Sequence, residues 1–241
     1  MGHVLTMRWI LLPSILLVSI LLLAACGGGD GQPAGPIIQD PEAVALQISE
    51  IPAALVPEGE GGIHVSNEEA CASAADEVEK QACIERLNTW GRRDHYQVLY
   101  TSTDANPILS GVFEILVGVS VYDTVAGAAA SFDYNANRLR DIIKDNPDAS
   151  LVEAEQVGDE SVAWVSYTTE ELISLDVPIA TYVVDFRRGN TIVRAQAAIA
   201  RALGKGDEAV EWARKVDDHI LRVSTQQLTA ASPEPSSSVT P

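Results

Sequence analysis

Apolar and polar residues alternate most regularly between Val112 and Tyr122. Phe113, Ile115, Val117, Val119 and Val121 share one side, and Glu114, Leu116, Gly118 and Ser120 the other. A period of two belongs to a strand, so this segment predicts a strand with one buried face and one partly wet face. The period then changes. Val125, Ala129, Phe132, Ala136, Leu139 and Ile143 recur at steps of four and three, the apolar stripe of an amphipathic helix, with Asp123 as its predicted cap and Asn146-Pro147 as its stop. Ala209, Ala213, Val216, Ile220 and Val223 repeat that spacing in a last helix beginning near Asp207, whose other side carries Glu211, Arg214, Lys215, Asp218 and Arg222. Shorter strands are predicted at 96–101, 151–154, 161–166, 180–187 and 191–197. The last two flank Arg188-Gly189-Asn190, which reads as a tight hairpin with Arg187 and Arg188 as solvent charges at its tip or as guards of an exposed sheet edge. Ser66-Asn67-Glu68-Glu69 has capping-box spacing and opens a helical region, with a second piece through Ile84, Leu87 and Trp90.

The element order is therefore helix, strands, helix, strands, hairpin, helix. Strands joined by loops too short for a helical crossover pair antiparallel. The expected fold class is α+β: a single domain built on a twisted antiparallel sheet, with amphipathic helices packed on one face.

The N-terminus follows a different pattern. Arg8 is the only charged residue before Asp30, and Trp9 to Ala25 is an uncharged stretch rich in Leu and Ile, too short to cross a bilayer comfortably as a helix. Leu23-Ala24-Ala25-Cys26 resembles the lipobox of bacterial lipoproteins and is followed by Gly27-Gly28-Gly29-Asp30-Gly31. The resemblance implies a signal peptide over 1–25, cleaved before a Cys26 that carries a diacylglyceryl group and often an acyl chain such as palmitate. Residues 26–40 then read as a flexible tether, 41–228 as the globular domain and 229–241 as a disordered Pro/Ser-rich tail. The expected location is the outer face of the bacterial cytoplasmic membrane, or the outer membrane of a cell that has two.

With Cys26 lipidated, Cys71 and Cys83 remain as a pair in an oxidising compartment, where an intradomain disulfide is the simplest outcome. Twelve residues of straight helix would hold them ~18 Å apart, whereas a disulfide needs Cα atoms within ~7 Å. The bridge therefore requires a break, predicted near Ala75-Asp76.

Charge narrows the partners. The chain has 241 residues with 34 acidic and 16 basic side chains, a formal charge of −18. Removing 1–25 takes Arg8 with it and leaves −19 on 216 residues. Phosphate backbones demand clustered Lys and Arg, so nucleic acid is excluded as a partner. Lipid at Cys26 rather than a basic patch is expected to supply membrane attachment.

No constellation of catalytic residues is legible. His64, His95 and His219 do not fall at zinc-binding helical spacing, and there is no nucleophile elbow, P-loop or dinucleotide fingerprint. Gly204-Lys205-Gly206-Asp207-Glu208 reads as an ordinary helix start, and pairs such as Asp217-Asp218 and Glu170-Glu171 as solvated faces. No cofactor or metal is expected. One cluster is unusual in so acidic a chain: Trp90, Arg92, Arg93, His95 and Tyr96. Arg forks and flat aromatic faces suit a small anionic or peptide ligand. The alternative is that Trp90 and Tyr96 enter the core while the arginines neutralise nearby acids.

Trp90-Gly91-Arg92 before a Tyr-containing strand, with Phe186-Arg187-Arg188-Gly189-Asn190 in the hairpin, resembles extracytoplasmic sensor or lipoprotein domains of the PsbP-like type over residues 85 to 225. The resemblance implies a fold and no site. The expectation is a membrane-anchored extracytoplasmic module, non-enzymatic, that binds a protein partner or small ligand. Two alternatives stay open. A cell-envelope hydrolase or transferase using acidic residues would show a buried Asp or Glu beside His95 or Arg92. A structural envelope component would show an exposed apolar sheet face.

Overall fold

The strand around Val117 lies in the interior of an eight-stranded antiparallel sheet, paired on both edges. The computed structural model describes residues 37–59, 61–103, 111–172, 175–200 and 206–231. Its strands are β1 (Leu55–Pro57), β2 (Ile63–His64), β3 (Arg92–Ser102), β4 (Val112–Tyr122), β5 (Ala149–Leu151), β6 (Glu160–Leu172), β7 (Leu175–Arg188) and β8 (Thr191–Ala200). They lie in the order β1-β3-β4-β8-β7-β6-β5, with β2 also on β3. The helices are α1 (Asn67–Ala70), α2 (Glu77–Thr89), α3 (Val125–Asp145) and α4 (Asp207–Ala231), with two short 3-10 turns, Glu42–Val44 and Ile48–Glu50. After β4 the chain crosses by α3 to the far edge. It then returns as the meander β5-β6-β7-β8, so β8 closes beside β4.

One sheet face holds the core. Ile115, Val117, Val119 and Val121 are fully buried with Val193, Ala195, Ala197 and Ile199 of β8 and Val184 and Phe186 of β7. The stripe Ala209, Ala213, Val216 and Ile220 of α4 covers them, as the sequence spacing predicts. Ile38, Val44, Ala45, Leu46 and Ile51 complete the layer. The tether expected to reach residue 40 thus ends earlier: Ile38 is fully buried, and its backbone exchanges hydrogen bonds with the side chain of Asn190 (2.7 and 2.9 Å).

Two further expectations are corrected. The helices do not share one face, because α3 lies over the opposite side of the sheet, above the even-numbered residues of β4. The long β4-to-β5 crossover permits this; spacing within a helix says which side is apolar, not which sheet face receives it. Arg187 and Arg188 are also not solvent charges. Arg187 is 8% exposed and bonds Asp159 and Glu160, while Arg188 bridges Asp159 and Asp217. The two-residue turn folds these arginines back against the acids that precede β6 and lie on α4.

Local signals set the remaining boundaries. Ser66 and Glu69 form the predicted capping box of α1. Cys71 and Cys83 are joined, with Cα atoms 5.9 Å apart, because the chain breaks after α1 and restarts at the Asp76 cap of α2. The cap of α3 is Thr124, whose hydroxyl accepts from the Gly127 amide, one residue after the expected Asp123. Gly91, at φ +72°, ends α2 and turns the chain into β3. The lipobox with Cys26, residues 1–36 and residues 232–241 lie outside the described residues. No helix among the described residues is long and apolar enough to cross a membrane.

Candidate functional site

The second face of the sheet is where the packing stays open. Along β8 the core positions are fully buried, while the intervening Ile192, Arg194 and Gln196 are partly or largely exposed. Helix α3 explains this. Its buried residues, Ala128, Ser131, Phe132 and Ala136, all lie in or just past its first half. The Tyr122 hydroxyl, bonded to Ser131 Oγ at 2.8 Å, pins that half to the sheet. Leu139 and Ile143 farther along are only partly buried and Ile142 is exposed. The helix therefore roofs the sheet without sealing it, leaving a groove of about 1110 Å³.

Strand β3 brings the arginine and histidine to one side by a bulge. Arg92 pairs with Tyr122 and Asp94 with Val121, so an extra residue intervenes at Arg93 and the alternation slips by one. Arg92, His95 and Gln97 consequently all line the groove, whereas strict alternation would set Arg92 and His95 on opposite faces. A second bulge, between Val112 and Glu114, turns Phe113 away from the core and onto Val177, Ile179 and Ala198. That corrects its expected placement with Ile115.

On the groove floor, His95 Nδ1 lies 2.8 Å from Ser120 Oγ. Gly118 makes room for the ring: a Cβ there would stand 3.0 Å from His95 Cε1. Burial first, and then the positive charge of Arg92, push the His95 imidazole down to about 4, so it is neutral at pH 7. Beside it Arg194 makes a two-pronged pair with Asp185 (2.7 and 3.0 Å), and the Trp164 indole N–H donates to the same carboxylate at 3.4 Å. Arg92 is 8% exposed and donates to Asn67 Oδ1 at 2.7 Å, with longer bonds to the carbonyls of Ser66 and Val65. Burial lowers its pKa below the usual arginine value.

The five predicted site residues are thus divided. Arg92 and His95 meet in the groove. Trp90 sits 5.3 Å from Tyr134 of α3, joining the two helices. Arg93 donates to Gln39 and faces Asp123. Tyr96 lies on the other face of β3, packed against the core, with its ring 5.2 Å from that of His64. Gln97, Trp164, Asp185, Arg194 and Gln196 were not anticipated. Polar Arg194 and Gln196 at alternate places in an otherwise apolar strand were the available signal. Of the acidic pairs, Asp217 is engaged by Arg188, and the side chains of Glu170 and Glu171 lie outside the described residues. Among the described residues, no group of His, Cys, Asp and Glu is placed to hold a metal ion.

No protein-family model matches this chain, and no curated protein does. Among solved structures, the extracellular domain of PknH from Mycobacterium tuberculosis matches with a TM-score of 0.52. The match covers 78% of this chain and 98% of that one at 12% identity, which establishes a shared fold and nothing finer. A protein of unknown function and putative regulator, PA94 from Pseudomonas aeruginosa, aligns over 60% of this chain and 87% of its own at 15% identity, but its TM-score of 0.26 is too low to bear on the fold.

Proposed function

We propose that this chain is a lipid-anchored extracytoplasmic binding module whose ligand enters the groove between α3 and the polar face of the sheet. The observation that carries the reading is the groove itself, large for a small-molecule site and lined by converging polar side chains beneath an apolar roof. The lipobox at Cys26, the disulfide of Cys71 and Cys83 and the likeness to an extracellular domain support a location outside the cytoplasm.

Binding accounts for the groove better than catalysis does. His95 and Ser120 are in contact as a base and a nucleophile would be, yet Arg92 and Arg194 both act against a charge on the imidazole. A general base must hold its proton in the transition state, and a ring pushed down to about 4 between two arginines is poor at that. The one acid on the floor near it, Asp185, is occupied by Arg194. No specific observation favours a hydrolase or a structural role over ligand binding.

Native mass spectrometry of the protein extracted from its own cell envelope tests this reading. The expected species begins at Cys26, carries a diacylglyceryl group and holds a non-covalent adduct that Gly118→Leu, which fills the floor beside His95, abolishes. An adduct that survives Gly118→Leu, or its absence from wild type, would overturn the groove. Labelled palmitate incorporated equally by wild type and Cys26→Ser would overturn the anchor.

A further inference from the structure

The two walls of the groove differ in chemistry, and a buried cation in it, Arg92, has no carboxylate in contact among the described residues. Arg92 is nine-tenths buried, yet its donors meet only an amide oxygen and two carbonyls. The acids around it are committed elsewhere. Asp94 points to the opposite face of β3, where both oxygens contact His64. Glu69 accepts from the Ser66 amide, Asp185 holds Arg194, and Asp148 sits exposed at the β5 end of the groove. Among the described residues, then, no carboxylate forms an ion pair with Arg92; Asp94 favours its charge only at longer range. A buried charge without a counter-ion in contact is costly, and an anion seated beside it would relieve that cost. Facing this corner, α3 presents Phe132, Leu139 and Ile143, with Leu116 and Ile192 from the floor. Such a strip gains by covering hydrocarbon and offers a small polar anion nothing.

We propose that the groove takes an anionic amphiphile, a carboxylate or phosphate head at Arg92 and His95 with an aliphatic portion along Phe132, Leu139 and Ile143. This rests on the groove being a binding site and names the class of ligand it holds. His95 suits the assignment as a neutral hydrogen-bonding neighbour, fixed by Ser120, that adds no charge of its own. Inorganic phosphate would satisfy Arg92 alone, and an alkanol the helix alone.

The test is photolabelling of the full-length protein in its own membranes with a diazirine-bearing decanoic acid, with adducts mapped by peptide mass spectrometry. Labelling is expected on the sheet-facing side of α3. Octanoate and octyl phosphate should compete about ten-fold better than 1-octanol, octyltrimethylammonium or inorganic phosphate. Arg92→Gln should cut labelling by about ten-fold while Arg92→Lys retains most of it, which separates the charge from the bonds Arg92 makes to 65–67. Leu139→Glu, on the partly exposed wall, should also abolish labelling. Equal competition by octanol or octyltrimethylammonium would overturn the anion, and equal competition by inorganic phosphate would overturn the amphiphile. Either result would leave the groove as a binding site if the adduct lost in Gly118→Leu persists in wild type. Labelling confined to other parts of the chain would overturn the proposal outright.

Discussion

Asn190 shows how much a single side chain can hold. It is fully buried, its amide N–H groups donate to the carbonyls of Ile38 (2.9 Å) and Tyr122 (2.7 Å), and its oxygen accepts from the Ile38 amide. Asn190→Ala would orphan those buried groups, and we expect a loss of about 2–4 kcal/mol in urea unfolding; a loss below about 1 kcal/mol would contradict the clamp. His95 gives a second residue-scale prediction. Its pKa is lowered from 6.5 to about 4 in the fold, so between those values the unfolded chain binds a proton that the native state refuses. Stability should therefore be full above about pH 6.5 and decline as the pH falls toward 4. The His95 ring should titrate by NMR near pH 4, and His95→Gln should weaken the loss of stability between pH 7 and 5. A midpoint near 6.5 would contradict the assignment. Sequence reading grouped Arg92 and His95 in one segment but could not see the bulge that brings them to one face, because no residue type at Arg93 announces it. It also misjudged Arg187 and Arg188, whose acids Asp159 and Asp217 are distant in sequence and became neighbours only through the fold.

At the scale of elements, strong periodicity was reliable and context was not. β4 and both long helices lie where their spacing puts them, since amphipathic stripes as regular as those of α3 and α4 have few other uses. The edges of β3, β6 and β7 extend well beyond the sequence estimate, because pairing with a long neighbour continues a strand past its own β-rich residues. Helix α2 illustrates a dependence that sequence also disclosed: none of its residues is buried, so the Cys71–Cys83 bridge is its one covalent tie, beside the Asn67–Asn88 hydrogen bond and the contacts of Arg86 and Trp90 with Tyr134. A loop of this size contributes ~3 kcal/mol in the chain-entropy view. Hydrogen exchange on the reduced protein should show 67–89 losing protection while the β4 and β8 amides keep theirs. Simultaneous loss in both regions would contradict this hierarchy. Thr124→Ala should cost about 1 kcal/mol through the α3 cap, with Asp123→Ala costing less.

For the molecule as a whole, the arrangement sorts stability and recognition onto opposite faces of one sheet. The core face is closed by α4 and the N-terminal segment, while α3, whose buried residues end at Ala136, leaves the other open. That division was half legible. The alternation in β4 and the polar Arg194 and Gln196 of β8 disclosed a wet face, but which element would stand over it depended on the crossover, so the roof of the groove had no signature in the sequence. The central claim is that this gap is an occupied binding site. A crystal structure of the mature protein purified from its native envelope tests that claim most directly. The account predicts a ligand lodged between α3 and the β3-β4-β8 floor, in contact with Arg92 and His95. An α3 seated directly on the sheet, with Arg194 and Gln196 covered and no space between, would contradict it.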